Sequence, residues 1–239
     1  TGNHIADPTA VVTLEDIGIN EFDTIEQIVD KLIAFDPTYA DMLEPIRKDP
    51  KFSKIKPVIV DSLPNGDAGI YYPEGNAKGG IIEIARSAVG VRNIYYTIAH
   101  ELMHFYTIDS AKAAKMKGTE EYRRLEEIYN FIADKKGQHD NKTKERYGLT
   151  NFREFMAELL INPAFRAHVS DVYAKNYKQI AAANKRTVDG KVIVDMIELI
   201  RQFLARLFAP STKEGIDNND PAVQNAGRLA TELFSGDIE

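Results

Sequence analysis

One short window separates this chain from an all-helical protein. Between Lys56 and Ala85 the sequence offers three runs with strand character: Lys56 to Leu63, Ala68 to Tyr72 and Gly80 to Ala85. The turn cluster Pro64-Asn65-Gly66-Asp67 ends the first, and Gly79-Gly80 leads into the third. On both sides the apolar residues recur with a period near 3.6. Ile25, Ile28, Val29, Leu32 and Ile33 predict a helix over 24–35, closed by Asp36-Pro37, with a second short helix from Thr38 towards Arg47. After the window, Ile94, Ile98, Leu102 and Phe105 mark the buried stripe of a helix running from Arg92 to about Thr107. Further helices are predicted over 119–136 (Tyr122, Leu125, Ile128, Tyr129, Ile132) and 151–161. At Asn162-Pro163 a new turn starts, with Asn as N-cap and Pro at the first helical position. A polar loop fills 137–146, a long apolar stripe runs from Ile193 to Phe208, and an Asn/Asp/Gly-rich linker (210–220) precedes a last helix over 221–234. Helices, a few strands, then many helices is an α+β plan. Without βαβ alternation, no parallel sheet is expected.

Composition narrows the chemistry. The chain has 239 residues and no cysteine, which removes disulfides, thiolate metal sites and cysteine nucleophiles together. Thirty basic against 36 acidic residues leave a net charge of −6. A nucleic-acid partner is therefore not expected, since phosphate binding rests on clustered Lys and Arg. No apolar run approaches the roughly 20 residues needed to cross a bilayer, so no membrane association is expected. Thr1 to Ala10 shows no signal peptide, which predicts a cytoplasmic protein. The chain does not begin with Met, and the expectation is one part of a longer polypeptide.

Within the first helix after the strands lies His100-Glu101-Leu102-Met103-His104, or H-E-x-x-H. On a helix, residues four apart share a face, so both imidazoles can reach one tetrahedral Zn²⁺. Glu101 sits about 100° round the helix, beside the ion and not on it, where its carboxylate can act as general base. Small Thr97 leaves the metal-bearing face uncrowded. The plainer alternative is two half-exposed histidines on an amphipathic helix with a solvated Glu between them.

A catalytic zinc needs a third protein ligand, and without cysteine that means His, Asp or Glu. The extended form H-E-x-x-H-x-x-G-x-x-H is absent, because Thr107 and Ser110 stand at its Gly and third His. His4, His139 and His168 read as solvated side chains in a tail, a polar loop and a helix end. Carboxylates are the better source. Glu154 and Glu158 share a face of an otherwise apolar helix, where an uncompensated charge costs several kcal/mol if buried. That suits Glu154 as third ligand and Glu158 as acceptor for a ligand histidine's ring N–H. Two alternatives stay open: Asn151 with Glu154 is close to a capping box, and Glu120, Glu121, Glu126 and Glu127 are rival ligands. Tyr147, in the loop before this helix, could donate to an oxyanion or simply pack at the helix start.

Taken together, Ile98-Ala-His100-Glu-Leu-Met-His104 and Tyr147-Gly-Leu-Thr-Asn-x-x-Glu154-Phe-x-Ala-Glu158 resemble the catalytic core of the anthrax lethal factor group of zinc peptidases, of gluzincin type. The stretch through Glu158-Leu-Leu-Ile-Asn-Pro163-Ala-Phe, and the late helix, linker and helix, are similar to metallopeptidase domains in large polyvalent proteins of phages and mobile elements. The resemblance implies a mostly helical, zincin-like domain with about three strands beside the active-site helix. It implies Zn²⁺ held by His100, His104 and Glu154, with Glu158 orienting a ligand histidine and Tyr147 stabilising the oxyanion.

The expected organisation is an N-terminal helical segment (1–50), a catalytic metallopeptidase core (51–170) and C-terminal helices packed on it (171–239). The expected function is zinc-dependent hydrolysis of peptide bonds in a protein or peptide substrate, with Glu101 as general base. The alternative is a non-catalytic, metal-stabilised binding or structural module of a larger phage-type protein, in which the 193–208 stripe is a docking surface instead of a core helix. Strand Gly80–Ala85 is a candidate sheet edge for pairing with substrate, or equally a central strand.

Overall fold

The computed structural model describes residues 11–37, 40–86, 93–111, 113–134, 148–162, 164–169 and 171–173, with Asn176, Leu199, Gln202, Phe203 and Gln224 beyond them. It is an α+β protein, mostly helical, with one small mixed sheet. The described residues include helices α1 (Leu14–Ile17), α2 (Ile25–Phe35), α3 (Ala40–Arg47), α4 (Ile94–Ile108), α5 (Ala113–Met116), α6 (Glu120–Asp134) and α7 (Phe152–Ile161), and 164–169 is helical as well. The strands are β1 (Lys56–Val60), β2 (Gly69–Tyr72) and β3 (Ile81–Ala85). The backbone groups into two compact units, 1–114 and 115–239.

In the first unit, α1 and α2 both start in capping boxes. Thr13 and Thr24 accept from the amides of Asp16 and Gln27, whose side chains reach back to the cap amides. The apolar face of α2 (Ile25, Ile28, Val29 and Leu32) is buried, as are Leu43 and Ile46 of α3.

The sheet order is β1-β3-β2, so β3 is the central strand and the open edges belong to β1 and β2. Gly80–Ala85 is therefore not a sheet edge. β3 pairs antiparallel with β2 and parallel with β1, Lys56 opposite Ile81 and Val60 opposite Ala85. The parallel pair corrects the expectation of a sheet without one. Parallel neighbours ordinarily need a crossover helix; here β2 carries the chain back, and β3 then inserts between the two earlier strands.

α4 begins at Asn93, whose side chain accepts from the Tyr96 amide at 3.0 Å, while Ile94 N–H donates to the Val12 carbonyl at 2.9 Å. Its residues from Ile94 to Tyr106 are buried except Tyr96. The helix is thus enclosed nearly all round and is no surface amphipath. Phe105 packs against Phe52 and edge-on against Tyr71, ring centroids 6.1 and 6.0 Å apart.

In the second unit, α6 buries Leu125, Ile128 and Ile132 of the stripe that its sequence predicts and half-buries Tyr122 and Tyr129. Phe155 of α7 contacts Tyr129 and Phe165 with centroids 5.5 and 5.8 Å away. Gly148 is required by packing, because a Cβ there would stand 2.5 Å from the Phe165 ring. Asn162 restarts the helix as predicted: its side chain accepts from Phe165 N–H at 3.0 Å and its carbonyl from Arg166 N–H at 3.0 Å. Leu199 and Phe203, four apart on the late stripe, are buried, which fits a core helix better than a docking surface. The 137–146 loop, the 210–220 linker and most of the last helix lie outside the described residues.

Candidate metal centre

α4 supplies two of the candidate ligands. His100 and His104 lie one turn apart with their rings edge to face, centroids 4.6 Å apart. They are 4% and 8% exposed, so the picture of two half-exposed surface histidines does not hold. The helix continues through Ile108 without a break, and Thr107 and Ser110 return their hydroxyls to the carbonyls of Met103 and Tyr106. Neither acts as a substitute ligand.

α7 supplies the third. Asn151 caps it, its side-chain oxygen accepting from the amides of Arg153 at 2.9 Å and Glu154 at 3.1 Å. The cap half of the predicted capping box therefore forms. The carboxylate of Glu154 belongs to another group: a ring nitrogen of His100, a ring nitrogen of His104 and a Glu154 oxygen all lie within 4.8 Å of one another. These three residues could hold a metal ion, and no other such group occurs among the described residues. The fit is chemically sound. Zinc takes nitrogen and carboxylate oxygen at about 2.0–2.2 Å, which puts tetrahedral donors roughly 3.4 Å apart. Two imidazoles with one carboxylate would leave the fourth position of a tetrahedral ion open.

The rival carboxylates are engaged elsewhere or stay outside this group. Glu120 and Glu127 pair with Arg123 on their own helix, and Glu121 is buried but does not join the histidines. His168 is half-buried and also absent from the group, while His4, His139 and Tyr147 lie outside the described residues.

Glu158 is 4% exposed, and its carboxylate accepts from the Asn162 side chain at 2.6 Å. Glu101 is buried too, and its carboxylate accepts the main-chain N–H of Tyr71 at 2.7 Å. Strand β2 therefore lies directly against the Glu101 face of α4. Thr97, expected to leave the metal-bearing face open, lies instead one turn before Glu101 under β2, where Gly69 fits against it: a Cβ on Gly69 would meet Thr97 Cγ2 at 2.7 Å and Glu101 Cγ at 3.0 Å.

Sequence reasoning missed Gly69, Tyr71 and Asp109 as neighbours of the site. Tyr71 contributes a main-chain amide, which no motif can encode. Asp109 accepts the Tyr71 hydroxyl at 2.7 Å and the Glu74 amide at 2.7 Å. Burial first, and then this carboxylate, push the Tyr71 phenol well above its usual range, so it stays a donor. The one available signal was Gly69 inside a strand pattern, which marks close backbone approach. No helix among the described residues is long and apolar enough to cross a membrane. No protein-family model matches the chain, nor does any curated protein or solved structure.

Proposed function

We propose that the chain is a zinc-dependent endopeptidase, one domain of a larger phage or mobile-element polypeptide, acting on a protein or peptide substrate. The observation that carries the reading is the group formed by buried His100 and His104 with half-buried Glu154, with Glu101 next to the first ligand on the same helix. Bound there, zinc supplies a Lewis acid for the scissile carbonyl and acidifies the attacking water. Glu101 takes the proton from that water and delivers it to the leaving amine. Burial suits this role, since low local dielectric strengthens the carboxylate's interaction with the proton it moves. Glu158 is assigned to the ring N–H of a ligand histidine, a role supported by its burial on the ligand helix. The oxyanion role of Tyr147 rests on the resemblance alone.

The test is metal content together with hydrolysis of a generic unfolded protein, with and without chelator. Glu101→Gln should keep one zinc per chain and lose about 10²–10⁴-fold in kcat. Glu154→Ala should lose most of the metal. Zinc at wild-type stoichiometry in Glu154→Ala overturns the ligand assignment, and zinc bound without cleavage of any protein favours the structural-module alternative.

A further inference from the structure

Tyr71 spans three successive positions on one face of α4. Its amide meets Glu101, its ring packs edge-on against Phe105, and its hydroxyl reaches Asp109. These helix residues are each four apart, so the side chain lies along the helix axis. The far anchor is doubly made, because the same Asp109 oxygen accepts the Glu74 amide just beyond β2. An acid is an unfavourable choice at that place. Asp109 is the C-cap of α4, where the helix dipole favours a cation. A residue that breaks a local rule in this way is expected to be compensated by a task elsewhere.

We propose that Tyr71 and Asp109 are positioning residues for Glu101, forming a strut that holds β2 against α4 so that the Tyr71 amide fixes the carboxylate. The proposal rests on the hydrolytic reading of Glu101 given above. The amide occupies one carboxylate oxygen, Oε2, and so restricts the rotamer in which the other oxygen meets the proton. Misplacing a reacting group by about 1 Å costs on the order of 100-fold in rate. A loosened strut should therefore act on kcat and leave metal and substrate affinity alone.

The experiment uses zinc-loaded chain labelled with ¹⁵N and follows hydrogen exchange of the Tyr71 amide beside kcat and KM on an unfolded protein. Asp109→Ala should speed exchange of that amide at least tenfold and lower kcat about 100-fold. Zinc should stay at one per chain, with KM within twofold. Asp109→Asn keeps an oxygen for both donors and should restore amide protection and most of kcat. Where Asp109→Ala fails to fold, Tyr71→Phe removes only the hydroxyl and supplies the same comparison. Unchanged Tyr71 protection in these variants overturns the strut, as does wild-type kcat with the protection lost. A wild-type chain that hydrolyses nothing overturns the peptidase reading instead, and the strut then stands or falls on the amide.

Discussion

Gly69 approaches Thr97 so closely that a methyl group on it would stand 2.7 Å from Thr97 Cγ2 and 3.0 Å from Glu101 Cγ. Real carbon atoms do not share that space, so Gly69→Ala must displace β2 or the Thr97 and Glu101 side chains. Overpacking of this kind costs about 1–3 kcal/mol. The loss should appear in denaturant unfolding as a lower midpoint at unchanged m. Gly118→Ala is the control, since nothing lies within 4 Å of its added Cβ, and it should stay within about 0.5 kcal/mol of wild type.

Metal binding should be visible as stability, because a ligand that binds only the folded state adds RT ln(1 + [L]/Kd). Free zinc at 100-fold over Kd adds about 2.7 kcal/mol, which for a chain this long raises Tm by roughly 5–10 °C. Chelator should reverse the shift. His104→Ala and Glu154→Ala should melt at the same temperature with and without zinc. A full zinc-dependent shift in either variant would remove that residue from the ligand set.

Asn151→Ala deletes the acceptor for the Arg153 and Glu154 amides at the start of α7. Caps of this type are worth about 1 kcal/mol. Because the same first turn carries the candidate ligand, fraying there should weaken zinc retention along with stability. Competition with a chromophoric chelator reads the metal, and Asn151→Ser, another good cap, should recover most of both.

Acid sensitivity should have one contribution traceable to Glu83. The Lys78 ammonium at 2.7 Å draws its carboxyl below the usual value, burial opposes this, and the Tyr72 hydroxyl at 2.9 Å adds to it. A group depressed in the folded state stabilises fully above its unfolded value of about 4.3, and the gain disappears as pH falls through the lower folded value. Exposure of Lys78 keeps the size to about 0.5 kcal/mol. Wild type should thus exceed Glu83→Gln in stability at pH 6–7, and the gap should narrow as pH falls below the unfolded value. Thermal melts across that range check the prediction, and a constant gap would contradict it.

The sequence by itself determined the elements and the ligand types. Hydrophobic period placed α2, α4, α6 and α7 within two residues of where they lie, since each buries a continuous apolar stripe. The spacing of His100 and His104 is a local property of one helix, and so is Asn162 as cap, which is why both could be read from the chain. Tertiary structure decided the rest. Strand order depends on pairing across the sheet, so β3 as central strand and its parallel match with β1 carry no local signature. The sequence favoured Glu154 as third ligand, on a helix fifty residues beyond His104, but left Glu120, Glu121, Glu126 and Glu127 open as rivals; only the fold, which brings the Glu154 carboxylate within 4.8 Å of both imidazoles, separates them. The seat of Glu101 was hidden for a similar reason. It is made by the main-chain amide of Tyr71 and by the missing side chain of Gly69, and neither a backbone donor nor an empty volume has a residue type that betrays it.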